Sequence, residues 1–223
     1  MALSDKRILE EMEKGNVVIS PFTRYHLSTS SYDVTLGKFY YREQPPKPHH
    51  PFFNIFDKRD VDEAWGKFFQ AEKLKDISKA PTFQNIEPDK RVILIRPGET
   101  ILAHTREFIG GRNIFTTMMK ARSSLGRCHI EVCKCAGWGD VGYINRWTME
   151  ITNNATHRTI VLVVGMRVAQ IVFFETGPIL NKDYSKKGKY QTSSDLEKIK
   201  KEWTPEMMLP GLWKDVQNKR PTQ

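Results

Sequence analysis

Apolar positions change their period several times along the chain. Ile8, Leu9 and Met12 fall on one helical face, Ser4 stands where a cap accepts a hydrogen bond from the first turn, and Gly15 follows where the helix would end. A short N-terminal helix is predicted. Beyond it the period shortens. "NVVIS" and then "SSYDVTLGKFYY" are rich in β-branched and aromatic residues and read as strands. "RVILIRPGETILAHTREFI" reads as strand, Pro-Gly turn and strand, and short strands continue through "TMEITN" and "TIVLVVGMRVAQIVFF". The last run is too short to cross a bilayer and is interrupted by Gly165, Arg167 and Gln170, so two buried strands are expected rather than a membrane span.

Two stretches depart from this β pattern. Residues 42–89 turn to proline, histidine, lysine and aromatic side chains, beginning with "EQPPKPHHPFF", and form an excursion from the core. Within it, "DVDEAWGKFFQAEKL" pairs Asp60 with Glu63 as a capping box does, and sets Val61, Trp65, Phe68 and Phe69 roughly on one face of a helix. Near the end, "SSDLEKIKKEW" offers Ser194 as a cap with Glu197 three residues on, Leu196, Ile199 and Trp203 along one face, and Pro205 as the stop. The expectation is one mainly β domain over residues 1–223, with an insertion at about 42–89 and a helical tail from about 193.

Composition narrows the chemistry only a little. The 223 residues suit a single sizeable core, and a formal net charge of +9 favours an anionic partner without choosing among nucleotides, nucleic acid and acidic surfaces. The three cysteines, Cys128, Cys133 and Cys135, are odd in number and crowded, which fits a reducing compartment. With an N-terminus that is charged rather than apolar, a cytoplasmic location is expected. Cys128, His129, Cys133 and Cys135 could in principle ligate zinc. Alternating residues of a strand share a face, however, so Cys133 and Cys135 read better as two small side chains packed on one side of a sheet. The His-x-Glu and Pro-Cys-x-x-Cys patterns of zinc nucleobase deaminases are absent. His49 and His50 read as part of a solvated loop. No Walker loop or dinucleotide fingerprint occurs, and Ser123 lacks a nucleophile-elbow context.

Two segments carry candidate chemistry. "KARSSLGR" places two hydroxyls between guanidinium groups, a donor set suited to phosphate oxygens and equally to a solvated turn. "CAGWGDVGYINRWTMEITN" sets Asp140 and Glu150 ten residues apart across aromatic, strand-like sequence. The residues alone allow either one shared pocket or a turn aspartate and an exposed strand glutamate.

Taken in order, "LSDKRILEEMEKGNVVISPF", "SSYDVTLG", "RPGETILAHTREFI", "ARSSLGR", "AGWGDVGYINRWTMEI", "VGMRVAQIVFF" and "GKYQ" resemble the dCTP deaminase branch of the trimeric dUTPase-like superfamily. The resemblance implies a distorted antiparallel β-barrel of jelly-roll type, in a homotrimer with active sites between subunits, to which the residues' own pattern adds the short terminal helices and the partly helical insertion. It makes Glu150 the general acid–base that activates water for attack at C4 of cytosine, without zinc. Ser123 and Arg127 would support that centre. Arg122, Ser124, Leu125 and Gly126 would contact the triphosphate, which would arrive with Mg2+. Asp140, Tyr143, Thr148, Met149, Tyr184, Lys189, Tyr190 and Gln191 complete the implied substrate site.

The implied activity is conversion of dCTP to dUTP and ammonia. Because Asp140 also matches the water-orienting aspartate of the dUTPase branch, a dUTP diphosphatase or a bifunctional enzyme is the alternative. A non-catalytic nucleotide sensor or nucleic-acid-binding protein is the alternative of another class, and nucleic acid is the less expected partner. This sequence departs from the family pattern at Asn145, where glycine is usual, at Cys133-Lys134-Cys135, and after "GKYQ", where a second Gly-Gln is missing.

Overall fold

The computed structural model describes residues 1–79, 81–180, 183–191 and 193–215. The chain opens with helix α1 (Asp5–Glu13), then β1 (Val17–Ser20), β2 (Leu27–Ser28) and the long β3 (Ser31–Arg42). The insertion supplies α2 (Lys58–Trp65), β4 (Phe69–Gln70) and β5 (Glu72–Lys73). Strands β6 (Arg91–Ile95), β7 (Thr100–Thr105), β8 (Phe108–Gly111) and β9 (Phe115–Ala121) lead to the one-turn helix α3 (Ser123–Arg127). After it come β10 (Ile130–Val132), β11 (Trp138–Gly139), β12 (Ile144–Asn145) and β13 (Thr148–Asn153). Strands β14 (Ile160–Val163) and β15 (Arg167–Glu175) finish the β framework, and α4 (Tyr184–Lys187) and α5 (Leu196–Glu202) follow.

Every strand pairing is antiparallel. The main sheet runs β10-β13-β7-β3-β15-β9-β11, and β1-β8-β12 and β14-β6-β5 form two smaller sheets. This is the mainly β architecture expected from the alternating segments, with the curled antiparallel sheet that the family resemblance implied. β3 turns the corner of the curl. Its first half pairs with β15 and its second half with β7, with a shift of register between Leu36 and Tyr40. Gly37 lies in that shift, and a Cβ there would stand 2.0 Å from the His104 ring. Glycine is needed because the imidazole fills the space a side chain would take. Tyr32, Tyr41, Phe115, Phe173 and a set of isoleucines close the core. No helix among the described residues is long and apolar enough to cross a membrane.

His104 is buried, with Nδ1 2.7 Å from the Thr105 carbonyl and Nε2 accepting from the Phe39 N–H at 3.3 Å. Burial holds its pKa down to about 4 from an ordinary 6.5. The unfolded chain therefore takes up a proton near pH 6.5 that the folded chain refuses until about pH 4. Stability is expected to be full above pH 6.5 and to fall by about 3 kcal/mol as pH drops through that window. Urea unfolding of the parent and of His104→Gln at a series of pH values checks this, because the variant should lose most of the slope.

Local expectations fail where caps compete. α2 is capped by Asp57, which accepts from the Arg59 N–H, not by Asp60. Asp60 instead accepts from the Asn54 N–H at 2.8 Å and meets His50 Nε2 at 3.3 Å, so His50 is tethered while His49 is exposed. The helix ends at Trp65 because Gly66 takes φ 61°, and Phe69 then enters β4. The insertion thus returns to the sheets, β4 pairing with β3 and β5 with β6, and buries Val61, Ala71 and Leu74. α5 is capped by Asp195 rather than Ser194, its carboxylate accepting from the Glu197 and Lys198 N–H groups. Cys133 and Cys135 do not share a strand face. β10 ends at Val132, and Cys133, Lys134 and Cys135 follow in a left-handed turn with φ of 72°, 35° and 65°. Cys133 is buried with Sγ 2.7 Å from Met119 Sδ, and Cys135 and Cys128 are exposed.

Candidate active site

One cleft of about 440 Å³ gathers much of the predicted set: Asp140, Tyr143, Thr148, Glu150, Tyr184 and Tyr190 all line it. The sheet explains why. β13 pairs with β7 so that Thr148 lies opposite His104 and Glu150 opposite Leu102, and alternate residues 148 and 150 share the face turned to the cleft. Met149, between them, is fully buried in the core, so only its backbone remains for a ligand. Asp140 enters from a turn closed by the Tyr143 N–H donating to its carbonyl at 3.0 Å. Tyr143 packs edge-on against Trp147 and Tyr184 at ring separations of 5.3 and 5.1 Å.

Glu150 makes no ion pair among the described residues, and burial raises its pKa above the ordinary 4.5, opposed by a backbone hydrogen bond and by the charge of Lys134. A carboxylate whose pKa burial has raised accepts a proton from water more readily than an ordinary one and can later return it. Burial, with help from Tyr184 and Tyr190, pushes the Tyr143 hydroxyl up. It therefore stays a neutral donor.

The "GKYQ" segment is locked in place. Gln191 is buried and fully occupied, its Oε1 accepting from the Ile144 N–H at 2.7 Å and its Nε2 donating to the carbonyls of Gly142 and Ser193, both at 2.8 Å. Asn145 donates to the Tyr190 carbonyl at 2.9 Å, which a glycine could not do. The Tyr190 hydroxyl accepts from the Gly211 N–H at 2.9 Å. Lys189 does not line the cleft, and its ammonium is paired with Asp215 at 2.5 Å.

The other predicted group stands apart. Arg122, Ser123, Ser124, Leu125, Gly126 and Arg127 do not line the cleft. Ser123, Ser124, Gly126 and Arg127 are exposed on α3, with Leu125 buried beneath them. Arg122 lies 3.6 Å from Asp33, which Arg167 also pairs at 2.9 Å. Gly126 has nothing within 4 Å of the position a Cβ would take, so no contact within one copy demands glycine there.

Sequence reasoning missed the far wall of the cleft: Trp65 from the insertion, Trp203, Met207, Met208 and Pro210 from the tail, and Arg146 beside Thr148. Only Arg146 left a signal, since it continues the alternation of residues 148 and 150. Among the described residues, no group of three or more His, Cys, Asp or Glu is arranged to hold a metal ion.

The fold is of the dCTP deaminase type. The chain matches 2'-deoxycytidine 5'-triphosphate deaminase from Agrobacterium tumefaciens at a TM-score of 0.51 and 19% identity, over 81% of this chain and 50% of that one. It spans about half the length of that deaminase chain. Residues 2–176 match the family model described as dCTP deaminase-like. Curated relatives named "dCTP deaminase, dUMP-forming" include one from Nanoarchaeum equitans, 28% identical over 212 residues, covering 89% of this chain and 98% of the relative. Another, from Hydrogenobaculum sp., is 32% identical over 173 residues, covering 78% and 81%. The chain belongs to the dCTP deaminase-like family.

Proposed function

We propose that this protein hydrolyses dCTP at C4 of its cytosine, releasing ammonia, and then cleaves the resulting dUTP to dUMP and diphosphate. The observation that carries the first step is Glu150, a partly buried carboxylate of raised pKa facing the cleft beside Thr148. Glu150 takes a proton from a water that attacks C4, giving a tetrahedral carbon. It then hands the proton to the leaving amine, so that one water and dCTP become dUTP and ammonia. The second step uses another water, which attacks the phosphate chain. Asp140 in the same cleft and the dUMP-forming names of the relatives support it. The triphosphate enters as its magnesium complex, the ion belonging to the substrate.

The separation of α3 from the cleft supports a site divided between subunits. Ser123, Ser124 and Arg127 carry exposed donors that lie away from the cleft among the described residues, and Gly126 leaves room for close approach. In a homotrimer, one subunit would supply Glu150 and Asp140 and its neighbour the arginine and serines. Complementation tests this. Arg127→Ala and Glu150→Gln, each inactive alone, are expected to regain part of the parent activity when unfolded together and refolded as mixed trimers. Mixtures that stay as inactive as the separate variants contradict a divided site. The overall reading is checked by feeding dCTP and dUTP separately and measuring ammonia and diphosphate.

A further inference from the structure

Among the described residues that line the cleft, Arg146 is the only lysine or arginine, and it shares the space with two carboxylates, Asp140 and Glu150. Its guanidinium is stacked between aromatic rings, 4.8 Å from the centre of Phe108 and 4.5 Å from that of Trp203. Stacking engages the faces of the group and leaves its in-plane N–H donors for other partners. Arg146 forms no ion pair or side-chain hydrogen bond with the described residues, and its Nε is buried without an acceptor. Glu107 is close enough to favour the positive charge, but its carboxylate is occupied by the Thr35 N–H at 2.9 Å and the Thr35 hydroxyl at 2.6 Å. A half-buried guanidinium whose Nε–H is buried without an acceptor has donor capacity left for an anion arriving from the cleft.

Its position says which part of a ligand it would meet. Trp147 continues the β13 ladder, accepting from the Thr105 N–H at 3.0 Å while its own N–H donates to Thr105 Oγ1 at 2.9 Å. Arg146, Thr148 and Glu150 therefore follow one alternating row, about 13 Å long at 3.3 Å per residue. A carboxylate at one end and a guanidinium at the other suit a ligand with a polar ring at one end and an anionic chain at the other.

We propose that Arg146 binds the phosphate chain of the nucleotide from within the same subunit, in addition to the arginine and serines of α3. This deepens the nucleotide reading of the cleft and depends on it. Trp203 is a positioning residue for that contact: it lies beyond residues 2–176, so the tail adds a support that the family match does not contain.

Calorimetric binding of dCTP, inorganic tripolyphosphate and deoxycytidine to the full chain tests the proposal. Arg146→Met keeps the aliphatic stem between the two rings and removes the charge. It is expected to weaken dCTP and tripolyphosphate about tenfold or more and to leave deoxycytidine within about twofold, in line with the loss of a charge-assisted hydrogen bond. Arg146→Lys, which keeps the charge, should recover part of the loss. Trp203→Leu should weaken the phosphate ligands in the same direction, and unchanged melting temperatures show that each variant is folded. Equal losses for deoxycytidine, or no loss for tripolyphosphate, overturn the proposal. Carried out in a Glu150→Gln background, the dCTP titrations read binding without turnover, while ammonia release is read in the parent background, so the two readings fail separately. Arg146-dependent dCTP binding without ammonia release sinks only the deaminase reading. Full ammonia release with unaltered affinity in Arg146→Met sinks only this one.

Discussion

Replacing Glu150 with glutamine is expected to cut ammonia release from dCTP by about 10²–10⁴ while changing dCTP affinity only a few-fold. Glutamine keeps the shape of the side chain and loses the proton acceptor. Burial holds the carboxylate above its ordinary pKa of 4.5, so the acid limb of kcat/KM should lie above that value in the parent. The same shift makes a prediction about stability. A folded-state carboxylate pKa above the unfolded one means that stability falls as pH rises from the unfolded value through the folded value. Above the folded-state value the folded protein carries the whole penalty. Glu150→Gln is therefore expected to melt at or above the parent temperature at pH 7, with the gap closing below pH 4.5. A catalytic loss accompanied by equal or higher stability separates a chemical role from a structural one. Ammonia release at the parent rate would remove Glu150 from the chemistry.

Asp140→Asn is expected to split the two proposed steps. If Asp140 orients the water that attacks the phosphate chain, diphosphate release from dUTP falls by about 10²–10⁴, as it does for the loss of a general base. Deamination loses at most a hydrogen bond to the nucleotide, a term of about 1 kcal/mol and so less than tenfold. The larger effect decides the outcome. Asp140→Asn should convert dCTP to dUTP and ammonia and accumulate the dUTP, and product chromatography against time reads this directly. Proportional loss of ammonia and diphosphate would show that Asp140 serves binding alone.

The strands and the row of side chains that β13 turns to the cleft were legible because both are local. Alternation over "TMEITN" is enough to put Thr148 and Glu150 on one face, and the motif order carried Asp140 and Tyr143 to the same place. Helix starts were less legible, because Asp57 competes with Asp60, and Asp195 with Ser194, for the same capping role at nearly the same position. The Cys133-Lys134-Cys135 turn was hidden because alternation cannot register three consecutive left-handed residues without glycine. The far wall of the cleft was out of reach for a different reason. Trp65 and Trp203 come from the insertion and the tail, and only tertiary packing brings them to Arg146 and the β13 row. Gln191 was expected at the substrate, but both ends of its amide are taken up by backbone partners at Gly142 and Ile144, 49 and 47 residues away in sequence.

Incubating the purified full chain with dCTP and magnesium, and following ammonia, dUTP, dUMP and diphosphate together, tests the central claim most directly. One ammonia per dCTP consumed, with dUMP and diphosphate following in equal amounts and all three lost in Glu150→Gln, is the expected result. Recovery of intact dCTP with no ammonia, from protein that binds the nucleotide, would contradict it.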